Sequence, residues 1–188
     1  FRSEGFEVGS IVVVSDDYFL YHVIAPGRAI RYGVAVGSAE LVWRGRALVG
    51  RKTEWPSWTP TPDMIKRKPE QYAKYKDGMP GGPKNPLGAR ALYLHTESGN
   101  DTAIRIHGTT DPGSIGKSVS NGCIRMRNEA VIEAYLGRGL KNKVMVETAE
   151  PMRLAIDDGI TAGLIEPVDP DLAVFDLMML AHGWALKH

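Results

Sequence analysis

The segment Arg105–Asn128 reads RIHGTTDPGSIGKSVSNGCIRMRN, and it holds the residues best suited to chemistry. His107 directly precedes Gly108, and Cys123 follows 16 positions later inside Ser120-Asn121-Gly122-Cys123-Ile124-Arg125. Cysteine chemistry needs a thiolate, and an imidazole within hydrogen-bond reach supplies it by forming an ion pair. Cys123 is therefore expected to have a lowered pKa and to react selectively at neutral pH, with His107 as base. Gly108 and Gly122 let backbone approach the reacting centre. The N–H groups of Gly122 and Cys123 can receive the oxyanion of a tetrahedral intermediate. Arg125 can hold a carboxylate through its planar fork. On spacing alone the bland reading stays open, because a lone thiol is often a small buried hydrophobe.

The elements that must position these residues are mostly strands. Ile11–Ser15 is a β-branched run, Tyr18–Ile24 a second strand, Arg28–Val36 a third and Gly45–Lys52 a fourth. Asp16-Asp17 and Ala25-Pro26-Gly27 are turns. Ala91–Thr96 and Thr102–His107 lead directly into the histidine, and Lys143–Glu147 reads as a closing strand. Asn128 can cap a helix running to about Leu136. Seven of the 12 prolines lie between Pro56 and Pro86, which forbids a continuous strand or helix there. Asp63–Lys68 and Glu70–Lys76 can each make a short helix, so the stretch reads as a long, partly helical surface loop.

Composition bounds the remaining possibilities. The chain has 188 residues, 43% hydrophobic and 24% charged, enough for one ordinary core with an appendage. A net charge of +1 gives no bulk case for nucleic acid as partner. One cysteine excludes an internal disulfide. No run of 18 apolar residues is present, so no membrane-spanning helix is expected. Phe1–Ser10 lack the basic start and apolar stretch of a signal peptide. The protein is then either cytosolic or written here from a point after a removed targeting segment.

Other residues invite functional readings. A zinc site of His95, His107 and Cys123 is imaginable, but no fourth ligand or typical close spacing accompanies it, and no metal is expected. His95 reads as a strand-surface residue and His22 as structural. Trp43, Trp55 and Trp58 can be core residues, or Trp55 and Trp58 can line a groove. Lys66, Arg67, Lys68, Lys74 and Lys76 make a basic patch on the proline-rich loop, by default a solvated face.

The segment with His-Gly, a loop, and Ser-x-Gly-Cys-Ile-Arg-Met resembles the catalytic domain of the L,D-transpeptidases. Trp55-Pro56-Ser57-Trp58-Thr59-Pro60, Asn85-Pro86-Leu87-Gly88, Ala91-Leu92-Tyr93-Leu94 and Arg105-Ile106-His107-Gly108-Thr109 look like the same family, over roughly residues 9–147. The resemblance implies a mainly β fold, a mixed sandwich or barrel-like sheet with peripheral helices. It implies that Cys123 attacks the carbonyl of the third residue of a peptidoglycan stem tetrapeptide and releases D-alanine, and that an amine of a second stem resolves the thioester. It makes His107 the base and the Gly108 carbonyl its orienting partner, as a carboxylate is in other triads. Ser120, Asn121, Gly122, Arg125 and Tyr93 would form the oxyanion and substrate-binding surface. No cofactor is implied, and β-lactams of the carbapenem class are expected to acylate the cysteine. Two positions depart from the family: Asn121 stands where many members have His, and Gly113 where members often have Trp. A wall-peptide binder with a non-catalytic site is the contrasting reading. Attachment of a protein to the wall, or hydrolysis of that link, would use the same Cys–His chemistry.

Residues 152–188 differ in character, helical in pattern and dense in apolar side chains. Asp169 and Pro170 suit a helix start. Leu172, Phe175, Leu180 and Trp184 surround the helix rather than striping it, so most of its surface wants cover. This appendage resembles the C-terminal segment of tetracycline-repressor-type regulators, without their DNA-reading helices. It is expected to dock on the β domain or to pair with a second copy in a homodimer. The family resemblance implies a periplasmic or wall-associated location, with the targeting segment absent from this sequence.

Overall fold

The computed structural model describes residues 6–136 and 143–147. Ten strands are present among them: β1 Ile11–Val14, β2 Phe19–Ala25, β3 Arg28–Gly33, β4 Val36–Gly37, β5 Gly45–Glu54, β6 Arg90–His95, β7 Asp101–His107, β8 Ser118–Ser120, β9 Ile124–Arg125 and β10 Lys143–Glu147. Three α-helices accompany them: α1 Pro62–Arg67, α2 Pro69–Tyr72 and α3 Asn128–Leu136. The fold is mostly strand, and the C-terminal appendage anticipated at 152–188 lies outside the described residues.

Eight strands form one sheet in the order β3-β2-β1-β10-β5-β6-β7-β9, and β4 with β8 forms a second. Pairing is parallel at β1–β10 and β7–β9 and antiparallel elsewhere in the large sheet. The sheet curls on itself. Just past β3, the residue Ala35 exchanges two backbone hydrogen bonds with Arg125 of β9, at 2.9 and 2.8 Å, so the two edges of the sheet meet. One core cluster accordingly holds residues from both edges, including Leu20, Tyr32, Ile106 and Ile124.

β1 shows why its sequence is uninterrupted Val and Ile. Ile11 and Val13 face the main core, while Val12 and Val14 face a second cluster with Tyr21 and Val23. A strand buried on both faces has no place for an alternating polar residue. Alternation reappears at β6, β7 and β9, where the two faces have different tasks. Leu92, Leu94, Ile106 and Ile124 are buried in the core. Their neighbours in sequence, Tyr93, Arg105, His107, Cys123 and Arg125, line a groove on the opposite face. Val131 and Ala134 of α3 pack into the core beneath this layer.

The third strand expected at Arg28–Val36 is broken. β3 ends at Gly33, and Val36 pairs instead with Ser118 in the small sheet. The proline-rich stretch folds as an arm, α1 and α2 followed by a 3-10 turn at Ala73–Tyr75. Thr61 caps α1 by accepting a hydrogen bond from the Met64 N–H at 3.2 Å, and Pro62 occupies the first helical turn.

Candidate active site

β7 and β9 set the centre of the site. Their parallel register places Ile124 opposite Ile106 and Arg125 opposite His107. Side chains alternate along each strand. With the two isoleucines inward, Cys123, Arg125, Arg105 and His107 fall on the same outward face. His107 and Cys123 both line the groove, which has a volume of about 640 Å³. Trp58, Tyr72 and Tyr75 of the arm wall it. Trp58 meets the two tyrosines edge to face at 6.2 and 5.7 Å.

His107 is 4% exposed, and its Nδ1 lies 2.6 Å from the Gly108 carbonyl oxygen. A carbonyl only accepts, so Nδ1 carries the proton and Nε2 is left as the basic nitrogen. Gly108 must be glycine, because a Cβ there would stand 2.1 Å from Asn128 Oδ1. Asn128 Oδ1 accepts from the Ala89 N–H at 3.0 Å, and its Nδ2 donates to the Thr109 carbonyl at 3.2 Å. Sequence reasoning cast Asn128 as a helix cap. Its side chain instead fastens the strand ends that carry the histidine, a role with no local sequence signal.

The protonation balance of the pair differs from the ion pair expected from sequence. Burial pulls His107 down to about 4, only partly offset by the Gly108 and Leu87 backbone, while Arg125 and Arg105 lower it further. Burial pushes the Cys123 thiol up, against the opposing pull of the Arg105 backbone and of the Arg105 and Arg125 charges. The resting pair is therefore neutral thiol and neutral imidazole. Desolvation outweighs the cationic surroundings. The thiol donates to the Ala103 carbonyl at 3.9 Å, and Ala103 is held at φ +60°.

The Ser120–Cys123 turn corrects a second expectation. The Gly122 N–H, cast as an oxyanion donor, already donates to Ser120 Oγ at 3.1 Å. Ser120 Oγ in turn donates to the Cys123 carbonyl. Ser120 lines the groove, but its hydroxyl braces the turn rather than facing ligand alone. Gly122 holds φ +113°, with Leu41 O at 3.1 Å from where a Cβ would stand.

Asn121 lines the groove and is gripped by the arm. Arg67 donates to its Oδ1 at 3.1 Å, and its Nδ2 donates to Tyr72 Oη at 3.2 Å. Arg67 was read from sequence only as part of a solvated basic patch. Tyr93 is 7% exposed and lies under two guanidinium groups, Arg51 at 3.8 Å and Arg105 at 4.3 Å from its ring centre. Trp55 does not line the groove and is 45% exposed. Among the described residues no three His, Cys, Asp or Glu side chains converge on a possible metal site. No helix among them is long and apolar enough to cross a membrane.

Comparison with known proteins fits this arrangement. A putative L,D-transpeptidase from the ATP synthase region of Fuscovulum blasticum is 43% identical over 100 residues, 52% of this chain and 47% of that protein. A Brucella melitensis crystal structure, named a probable carnitine operon oxidoreductase, is 49% identical with a TM-score of 0.50, covering 71% of this chain and 84% of that one. The catalytic domain of an Enterococcus faecium L,D-transpeptidase, solved acylated by ertapenem, shares the fold at 18% identity and a TM-score of 0.51, covering 73% of this chain and 95% of that one. The chain spans about half, or only a quarter, of the length of the curated relatives it matches. The L,D-transpeptidase catalytic domain family, YkuD, matches residues 9–138. This chain belongs to the L,D-transpeptidase catalytic domain family.

Proposed function

We propose that the chain is a cysteine-dependent L,D-transpeptidase that cross-links peptidoglycan stem peptides through a Cys123 thioester. One observation carries the reading: Cys123 and a His107 whose Nδ1 is engaged by the Gly108 carbonyl share one face of a peptide-sized groove. Nε2 of His107 takes the thiol proton as Sγ attacks the carbonyl of the third stem residue. The oxyanion forms near the Cys123 N–H, since the Gly122 N–H is held by Ser120. Collapse breaks the peptide bond, and the leaving D-alanine amine takes the proton from His107. The acceptor amine then attacks the thioester and gives its proton to His107. The thiolate leaves and takes that proton back.

A resting pair that is neutral on both sides suits this route. The base is unprotonated at neutral pH, and Arg125 stands ready to stabilise the thiolate as it forms. The wall of Trp58, Tyr72 and Tyr75 supports a peptide strand lying along the groove. Such a substrate places the enzyme at the cell wall, in the periplasm. Carbapenems are expected to acylate Cys123, as ertapenem does in the E. faecium domain. Residues 9–147 would be the catalytic unit and 152–188 an appendage that docks or dimerises.

The test is product formation. With two stem tetrapeptides, the enzyme should release D-alanine and yield a cross-linked dimer by chromatography, and Cys123→Ala should yield neither. Binding of stem peptide with no D-alanine release would identify a binding module instead.

A further inference from the structure

The groove carries more positive charge than the Cys–His chemistry uses. Arg51, Lys84, Arg105 and Arg125 line it, and none of its lining residues among those described is Asp or Glu. The four cations are not equivalent. Arg105 is neutralised by a two-bond ion pair to Asp101, at 2.6 and 2.8 Å. Arg125 sits beside His107 at the reacting centre. Lys84 is a flexible, exposed point charge on the rim. Arg51 remains. Its guanidinium is stacked on Tyr93 at 3.8 Å, and no carboxylate among the described residues pairs with it.

The sheet fixes where Arg51 stands relative to the nucleophile. Arg51 is the register partner of Tyr93, and Tyr93 of Arg105. β7 pairs Ile106 with Ile124 of β9, and one residue earlier in sequence stand Arg105 and Cys123. One row of the sheet therefore runs Arg51, Tyr93, Arg105, and extending the β7–β9 register by one residue brings Cys123 to its end. Three strand spacings separate its ends, about 14 Å between α-carbons. The arginine side chain covers part of that distance. An anion held by Arg51 then lies roughly two or three extended residues from the carbonyl under attack. Stacking on Tyr93 orders the fork before the ligand arrives, which lowers the entropic cost of a two-bond contact.

We propose that Arg51 reads a free carboxylate on the acyl donor, so that the groove takes acidic stem peptides in preference to their carboxamides; this rests on the acyl-transfer reading above. Tyr93 acts as a positioning residue for Arg51, and Asp101 keeps Arg105 from competing for the same group.

The experiment compares two synthetic stem tetrapeptides that differ only in a carboxylate or a carboxamide upstream of the attacked carbonyl. Acylation of Cys123 is followed against peptide concentration for the natural chain, Arg51→Gln and Arg51→Lys. The carboxylate peptide should be favoured by about tenfold or more, as a charge-assisted hydrogen bond implies. The preference should appear in the half-saturating concentration rather than the maximal rate. Arg51→Gln should erase it, and Arg51→Lys should restore it only in part, with unchanged thermal unfolding showing that both variants fold. Equal half-saturation for the two peptides in the natural chain overturns the inference, as does a preference that survives in Arg51→Gln. If neither peptide acylates a Cys123 that still reacts with a neutral thiol reagent, the acyl-transfer reading fails and the inference falls with it.

Discussion

Arg125 lies directly opposite His107 in the parallel pairing of β7 with β9, so a permanent cation shares a tier with the candidate base. Its charge adds to burial in disfavouring the imidazolium. Both influences act before any substrate is present, and they have consequences for stability as well as catalysis.

The stability consequence has a defined sign. Folded His107 titrates at about 4, against 6.5 for an ordinary histidine. Above about pH 6.5 neither folded nor unfolded chain is protonated there, and the group has no effect. As pH falls from about 6.5 towards 4, the unfolded chain takes the proton first and stability is lost, by up to about 3 kcal/mol. His107→Gln should remove this part of the pH dependence of thermal unfolding. Part of the slope should remain, because burial and the nearby Lys52 also lower His22. An unaltered slope in His107→Gln would contradict a buried neutral imidazole.

Thiol reactivity should follow the same balance. Because burial pushes the Cys123 thiol up, its alkylation by a neutral reagent should rise with pH, with an inflection above that of an ordinary thiol. A rate already maximal at pH 6 would show a preformed ion pair instead. In stopped-flow or mass-resolved alkylation, His107→Ala should slow the reaction at neutral pH, where the base assists.

Arg125 is half-buried on the groove floor, and a guanidinium's planar fork is not reproduced by an ammonium. Arg125→Ala and Arg125→Lys should both lower kcat/KM. The truncation is expected to cost about 2–5 kcal/mol if the group pairs with substrate away from water. Full turnover with Arg125→Lys would exclude the bidentate role.

Arg67 and Tyr72 grip Asn121 from the arm, across sequence separations of 54 and 49 residues. Releasing that grip should loosen α1 and α2 without unfolding the sheet. In Asn121→Ala, amide hydrogen exchange in residues 62–75 should accelerate while β6 and β7 stay protected. Unchanged exchange in the arm would mean that the Trp58 ring contacts hold it alone.

These relationships explain how much was legible in the sequence. The long strands were, because runs such as Ile11–Val14 and Leu92 with Leu94 carry the apolar pattern of their burial. The motif also pointed to Cys123 and His107 together, and both line one groove. β8 and β9 were not legible: three and two residues show no period, and their pairing depends on partners distant in the chain. Arg28–Val36 read as one strand because nothing local marks Ala35 crossing to Arg125. The Ser120–Gly122 contact reversed an expected donor, since a side chain two residues away captured the N–H. The thiol's shift was misjudged for a physical reason. Residue types announce charge, whereas desolvation depends on the packed sheet and arm around the site.

The acyl-enzyme is the most direct test of the central claim. The intact protein is incubated with a stem tetrapeptide alone, without acceptor, and its mass is followed with peptide mapping. Acyl transfer predicts an adduct of the tripeptide acyl group on Cys123, formed as D-alanine is released and lost in both Cys123→Ala and His107→Ala. Release of D-alanine that continues unchanged in Cys123→Ala would contradict it, as would a folded natural chain that forms no adduct.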